Sequence, residues 1–276
     1  MRVRILGTAA GGGLPQWNCG CEVCGQARAT GRHRSQDCLA ITGDGSTWYL
    51  VNASADLRGQ LLTCPELAPP LGTRATPVAG VLLTSAELDH TLGLITLREA
   101  DRLAVWATPT VRAALPFGPV LESYTFLDWQ TVTPGEPIPL QGGLTAVAFA
   151  AGDKRPRYTS GPDNAQWTVA YRFTDAHTGG VLVYAPGLAA WTAAFTAGIV
   201  GADVVLLDGT FATNHEFAST GMGHLSMEDS LLLVRANPGP RYMYTHLNNT
   251  NPYAGEPLAL ADDAARVATD GELLVL

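Results

Sequence analysis

Apolar, β-branched runs alternate with turn residues along the whole chain. They predict strands over Val3–Leu6, Trp48–Val51, Val78–Thr84, Leu103–Ala107, Leu144–Ala150, Thr168–Phe173, Val181–Tyr184, Val204–Leu207, Arg241–Thr245 and Leu273–Val275. Several of these runs are uninterrupted by polar residues, as strands covered on both faces require. The segments between them predict helices over Asp56–Leu62, His90–Ala100, Trp191–Ala197, Met227–Arg235 and Leu258–Ala268. Strands interspersed with helices in this way point to a layered α/β protein. Residues 155–166 are polar and rich in breakers, which predicts a surface loop. That loop is also a candidate divide between two similar halves, although no sequence repeat accompanies it.

The composition fits one domain spanning residues 1–276. Of the 276 residues 46% are apolar and 15% charged, enough for a full core and too apolar for disorder. Seventeen basic residues against twenty-five acidic ones give a net charge of −8, which argues against a nucleic-acid partner. No apolar run reaches the roughly 18 residues a membrane span needs. The start, Met1 to Gly7, lacks the apolar stretch of a secretory leader, and the five cysteines are an odd number. Both features predict a cytoplasmic protein without a disulfide framework.

Chemistry-bearing residues collect just after apolar runs. Asp89 and His90 follow the Val78–Thr84 strand, where adjacent Asp and His can both point at one ion held beyond the sheet. The plainer alternative is that Asp89 caps the following helix. Asp208 follows Val204–Leu207 and His246 follows Arg241–Thr245 in the same manner. Ligands offered from several strand ends are how an open α/β scaffold builds a site, and together the four favour a metal centre. His224 lies in the glycine-flanked run 221–227 and is a candidate ligand, proton carrier or substrate anchor. His33, His177 and His215 sit in polar loops and are expected to be solvated.

A second constellation is Cys19, Cys21 and Cys24. Three thiols so closely spaced suit a structural zinc ion better than disulfides in a reducing compartment. The candidates for a fourth ligand are Cys38, His33 and a residue brought from near His246, while Cys64 reads as an inert thiol.

The run Leu6-Gly7-Thr8-Ala9-Ala10-Gly11-Gly12-Gly13 leads to Pro15-Gln16-Trp17-Asn18-Cys19. Further on stand Asn52-Ala53-Ser54, Asp89-His90, Pro186-Gly187, Asp208-Gly209-Thr210, Gly223-His224 and His246-Leu247-Asn248-Asn249-Thr250-Asn251-Pro252. In this order the chain resembles the pyrroloquinoline quinone (PQQ) biosynthesis protein B family over nearly its whole length. The resemblance implies the metallo-β-lactamase fold, an αββα sandwich of two mixed sheets with helices on the outer faces. It also implies a metal motif of the form His-x-His-x-Asp-His, then a further His, an Asp and a final His. Here Ser85 and Glu87 stand at the two leading His positions, and residues 152–154 supply no His.

What remains is Asp89, His90, Asp208 and His246. Of these, Asp89, His90 and His246 form a two-His, one-carboxylate set with open positions, which suits Fe(II) and O₂ rather than the paired ions of a hydrolase. Asp208 is a candidate fourth ligand or a partner behind the ligands. The resemblance therefore implies an iron-dependent oxygenase that hydroxylates the tyrosine ring of a cross-linked Glu–Tyr precursor, with Fe(II) at the active site. His224, from its glycine-flanked position, is the candidate catalytic residue, and Zn(II) is the ion expected on the cysteines. The expected partners are that small molecule and O₂, with neither nucleic acid nor membrane, and a homodimer is the candidate assembly. Two other readings compete: a phosphodiesterase-like metal-dependent hydrolase, and a non-catalytic carrier of the quinone or its precursor. Arg58, Arg98, Lys154 and Arg155 are candidates for a local anion site.

Overall fold

Side chains alternate between two apolar environments along the strands, and this alternation sorts the chain into layers. The structure, a computed structural model, describes residues 1–161, 164, 166–216, 223–255 and 263–276. The first half contributes β1 (Arg2–Gly7), β2 (Cys38–Thr42), β3 (Trp48–Val51), β4 (Val78–Leu82), β5 (Arg102–Ala107) and β6 (Phe126–Thr131). The second contributes β7 (Pro137–Pro139), β8 (Leu144–Gly152), β9 (Thr168–Asp175), β10 (Val181–Ala185), β11 (Val204–Asp208), β12 (Arg241–Thr245) and β13 (Ala265–Val267). The last strand, β14 (Leu273–Val275), returns to the first sheet.

The two sheets run in the orders β14-β1-β2-β3-β4-β5-β6 and β13-β12-β11-β10-β9-β8-β7. In each, an antiparallel half passes into a parallel half: β3 to β6 are parallel neighbours in one sheet, and β10 to β13 in the other. The halves thus share a topology that leaves no repeat in the sequence. Leu39, Ile41, Tyr49 and Val51 from the first sheet pack with Tyr171, Leu182, Tyr184 and Leu206 from the second in one buried cluster. The alternate residues Ala40, Trp48, Leu50 and Val81 face outward, under Leu57, Leu94 and Val111 of the covering helices. Val183, Val205 and Leu207 do the same under Phe195 and Val234. A sheet with helices on its outer side and a second sheet on its inner side is the expected αββα arrangement.

Helices α1 (Glu22–Thr30), α2 (Leu57–Leu62), α3 (Leu88–Thr91), α4 (Pro109–Ala114), α5 (Gly118–Leu121), α6 (Ala193–Ile199), α7 (Met227–Ala236) and α8 (Pro252–Gly255) complete the layers. Among the described residues no helix is long and apolar enough to cross a membrane.

Several expected elements differ. The helix expected over His90–Ala100 is the single turn α3 followed by a 3₁₀ segment, Leu92–Glu99. Close packing explains the tightened backbone, because a Cβ on Gly93 would meet Ser54 O at 2.3 Å. The helix expected over Leu258–Ala268 is overturned at its end, where 265–267 form β13 beside β12, while 256–262 lie outside the described residues. Strands β2, β6 and β7 are additional, and β7 carries two prolines because it is an edge strand bonded only to β8.

The site depends on how β3 ends. Asn52 takes a left-handed backbone (φ 66°), and its buried side-chain oxygen accepts from both Thr84 N–H (2.9 Å) and Thr84 Oγ1 (3.0 Å). Asn can adopt this backbone conformation at small cost, and its amide fixes the exit of β4. Asn52→Ala removes the acceptor of a buried N–H, so urea unfolding is expected to show a loss of about 1–3 kcal/mol. A variant as stable as the parent protein would contradict this bracing role.

Candidate metal centre

Strands β4, β11 and β12 end at the same rim, and the loops that leave them carry the polar side chains. Asp89 and His90 arrive on α3, Asp208 closes β11, and His246 follows β12 with a strained left-handed backbone (φ 57°). The helix-cap alternative for Asp89 fails, since Glu87 holds the N-cap position of α3. Asp89 Oδ2 lies 3.2 Å from His246 Nε2 and 4.0 Å from His90 Nε2. Asp89, His90 and His246 offer ligand atoms within 4.8 Å of one another, and Asp208, His224 and His246 form a second such group. All of the sequence-predicted active-site residues therefore meet in one pocket.

Hydroxyl groups decide which ring nitrogens face the pocket. Thr84 commits its proton to Asn52, so its oxygen can only accept, 3.3 Å from His90 Nδ1, and Ser85 Oγ is 2.8 Å from the same nitrogen. His90 thus carries its proton on Nδ1, and Nε2 keeps its lone pair. That Nε2 is buried and has no hydrogen-bond partner among the described residues. Thr210 repeats the arrangement from the other sheet. It donates to Asp208 Oδ1 (2.6 Å), and its oxygen is 2.9 Å from His246 Nδ1. An orphaned imidazole nitrogen, a second imidazole and a carboxylate converging in a buried place are the donor set of a transition-metal site, with partners behind each ring.

The electrostatics agree. Burial lowers His90 to about 4, against the pull of Asp89, so the ring is neutral. Burial also opposes charge on His246, but the hydrogen bond to Asp89 and the charges of Asp89, Asp208 and Asp37 outweigh it and raise this group to about 9. Burial works against the Asp89 carboxylate too, yet the His90 and His246 rings hold it well below the usual range. Behind the pocket, the buried Asp37 accepts from Tyr184 and Thr245, and burial pushes it up to about 6.

His224 stands at the rim. Its Nδ1 is 2.6 Å from Asp208 Oδ2 and its Nε2 is 3.4 Å from Lys154 Nζ. Its ring stacks on that of His246 at 5.5 Å. Of the four residues expected to form an anion site, Lys154 alone reaches this pocket. Arg58 lines a cavity of about 820 Å³ on the other side of the glycine-rich loop, Arg98 lies over Tyr124, and Arg155 bonds Gly161 O. The anion site as a group of four is overturned, because Arg58 lies on α2, Arg98 lies on the 3₁₀ segment, and Arg155, although next to Lys154, turns to Gly161 O.

Cys19, Cys21 and Cys24 bring their sulfurs within 4.8 Å of one another. Cys21 caps α1, its sulfur accepting from Cys24 N–H at 3.5 Å, and Gly31 ends the helix in the left-handed conformation. The expected fourth partners separate clearly. Cys38 is buried in β2 with its thiol 3.3 Å from Asn52 O, and His33 lines the 820 Å³ cavity. From the His246 segment, Asn249 does arrive, with its backbone oxygen 3.7 Å from Cys21 Sγ and its side-chain amide 3.4 Å from Cys24 Sγ. Cys64 is buried beside Glu66, and burial raises its thiol. The roles of Thr84, Thr210 and Asn249 were not read from the sequence. Their signals, Thr at a strand end and the run Asn248-Asn249-Thr250-Asn251, are common in turns.

Comparisons with known proteins fall on this frame. Residues 47–247 match the family model described as the β-lactamase superfamily domain. Coenzyme PQQ synthesis protein B of Azoarcus sp. (strain BH72) is 39% identical, with 100% of both chains covered. That of Gluconacetobacter diazotrophicus is 37% identical over 95% of this chain and 92% of its own. Among solved structures, Zn²⁺-bound PqqB from Methylobacterium extorquens superposes with a TM-score of 0.90 at 34% identity, covering 100% of each chain. A diphosphatase of the PhnP family shares the fold, with a TM-score of 0.76 at 19% identity over 100% of this chain and 97% of its own.

In the metal-free protein, imidazole NMR is expected to show His246 titrating near pH 9 and His90 near pH 4. Asp89→Asn removes both the charge and the charged acceptor that raise His246, so the upper titration must move down. An unmoved His246 titration would contradict the pairing.

Proposed function

The chain belongs to the family of coenzyme PQQ synthesis protein B within the β-lactamase superfamily, and from that membership we propose that it is an iron-dependent, O₂-using hydroxylase of the tyrosine ring in a cross-linked Glu–Tyr precursor. One observation carries the reading: Asp89, His90 and His246 offer one carboxylate oxygen and two Nε2 atoms to a single position, while Ser85 serves as a hydrogen-bond partner of His90. Fe(II) held there would supply redox chemistry with O₂, for which zinc has no accessible oxidation states.

The chain's own residues do the rest. Ser85 and Thr84 hold the His90 ring in the tautomer that presents Nε2, and Thr210 does the same for His246. Asp208 accepts the Nδ1 proton of His224, which leaves His224 Nε2 as the group that takes a proton from a phenol at the rim. On this reading Asp208 orients His224 and backs His246 from the Nδ1 side, 4.0 Å away, and it remains the nearest candidate for an additional ligand. Cys19, Cys21 and Cys24 hold structural zinc beside Asn249, tying α1 to the loop that carries His246.

Metal analysis after anaerobic purification separates the two sites. Asp89→Ala or His246→Ala should lose the pocket ion and keep the cysteine-bound zinc. Cys21→Ser should lose about one zinc per chain together with thermal stability, because metal binding and folding are coupled. Unchanged zinc content and melting temperature in Cys21→Ser would remove the structural zinc from the account.

Activity is read as O₂ uptake and product mass. The iron-loaded protein should add oxygen to the precursor and the zinc-loaded protein should not. His224→Ala should keep its iron and slow by about 10²–10⁴-fold. Hydrolysis of a phosphodiester by the zinc form, without O₂ uptake by the iron form, would replace this reading with the hydrolase. Loss of iron in His224→Ala would move His224 into the coordination sphere.

A further inference from the structure

The second donor group, Asp208, His224 and His246, already has a cation beside it. Lys154 Nζ lies 3.4 Å from His224 Nε2 and 3.4 Å from Glu87 Oε1. With the Nδ1 proton of His224 on Asp208, Nε2 is the free lone pair of that ring and accepts from the ammonium. We propose that Lys154 is a substrate-anchoring residue whose ammonium binds a carboxylate of the incoming molecule at the rim of the pocket. The proposal rests on the hydroxylase reading only for the chemistry of the ligand, a small molecule that retains the carboxylates of its Glu and Tyr parts.

Three observations support it. First, the lysine is placed rather than loose. Gly223 has φ 73°, and a Cβ there would come within 2.9 Å of Lys154 Cβ and Cδ, so the stem lies directly on this backbone. Tyr158 fastens the same segment to the Ser85–Glu87 loop by donating to Ala86 O. Second, the ammonium is accessible. The Lys154 and Glu87 side chains are 31% and 29% exposed, whereas those of His224 and Asp208 are 9% and 1%. An anion can therefore approach from solvent and take the place of Glu87 on the ammonium, and its pull on Lys154 releases the His224 Nε2 lone pair for the phenol. Third, Lys154 lies in a basic run: in a protein of net charge −8, Lys154, Arg155 and Arg157 are three cations within four positions. A cation held at the mouth of a site draws an anionic ligand toward it.

The geometry also assigns Glu87 a role. It is a placeholder that partners the ammonium until the ligand arrives, and so it competes with the ligand. This separates anchoring from a purely structural ion pair, because the two accounts give opposite signs for one substitution. If the pair only pins loops together, losing either partner has the same effect. If Lys154 anchors the ligand, losing Glu87 frees the ammonium.

The test uses the full-length zinc-loaded protein, which does not turn over, and PQQ itself as a tricarboxylate probe, with binding followed by calorimetry. Lys154→Met should weaken the probe by about tenfold or more, which corresponds to one charged contact of modest strength. Lys154→Arg should retain most of the affinity. Glu87→Gln should bind at least as tightly as the parent protein. Parent-like binding by Lys154→Met, or weakened binding by Glu87→Gln, overturns the proposal. Should Lys154→Met fail to fold, the Glu87→Gln result decides alone. The hydroxylase reading fails separately. An iron-loaded protein without O₂ uptake counts against that reading while the order of probe affinities still tests Lys154, and an active hydroxylase with the wrong order of affinities loses only the anchor.

Discussion

The contact between Asp89 and His246 joins the two halves of the molecule at the point where chemistry is possible. Asp89 is delivered by the first sheet and His246 by the second, and their atoms meet at 3.2 Å in a largely buried place. Each would be costly alone, since a buried charge needs a partner. Together they hold Asp89 ionised and raise His246. The strained backbone of His246, the glycine-rich loop whose Gly11 lies against Asp89, and the closely packed Gly93 all serve to bring these two side chains to the same position.

The two sheets treat their histidines alike. On one side the chain of contacts is Asn52 to Thr84 to His90, and on the other it is Asp208 to Thr210 to His246. In both, a threonine gives its proton away and thereby sets the tautomer of the ring it touches. The rings then turn Nε2 inward. This device accounts for two features at once: the orphaned nitrogen of His90, and the use of a serine at residue 85, which partners that same ring. Lys154 stands at the rim, where its ammonium faces His224.

Much of this was legible in the sequence. All ten expected strands are present, because alternating or continuous apolar runs report burial directly. Asp89, His90, Asp208 and His246 were identifiable as residues placed after such runs and His224 as a residue in a glycine-flanked run, and the structure brings them together. What was hidden depends on tertiary contact. Strand β7 holds two prolines and is tolerated only at an edge, which no local pattern reveals. Helix α1 buries little besides Cys24 and Ala27, so its periodicity is faint. The stretch 265–267 reads as helical by composition and becomes a strand because β12 offers it an open edge. Arg58 and Lys154 look equivalent as cations in a sequence, yet Arg58 lines a cavity while Lys154 faces His224.

The account's central claim is that one ion is held by the Nε2 atoms of His90 and His246 and by Asp89, with Lys154 rather than a second ion beside His224. A crystal structure of the anaerobically iron-loaded protein, with anomalous diffraction recorded across the iron edge, measures this directly. The account predicts a single iron peak in the pocket, bonded to those three side chains, with Lys154 still on His224. A second peak between Asp208 and His224, or a single ion bound there with His90 Nε2 left unbonded, would contradict it.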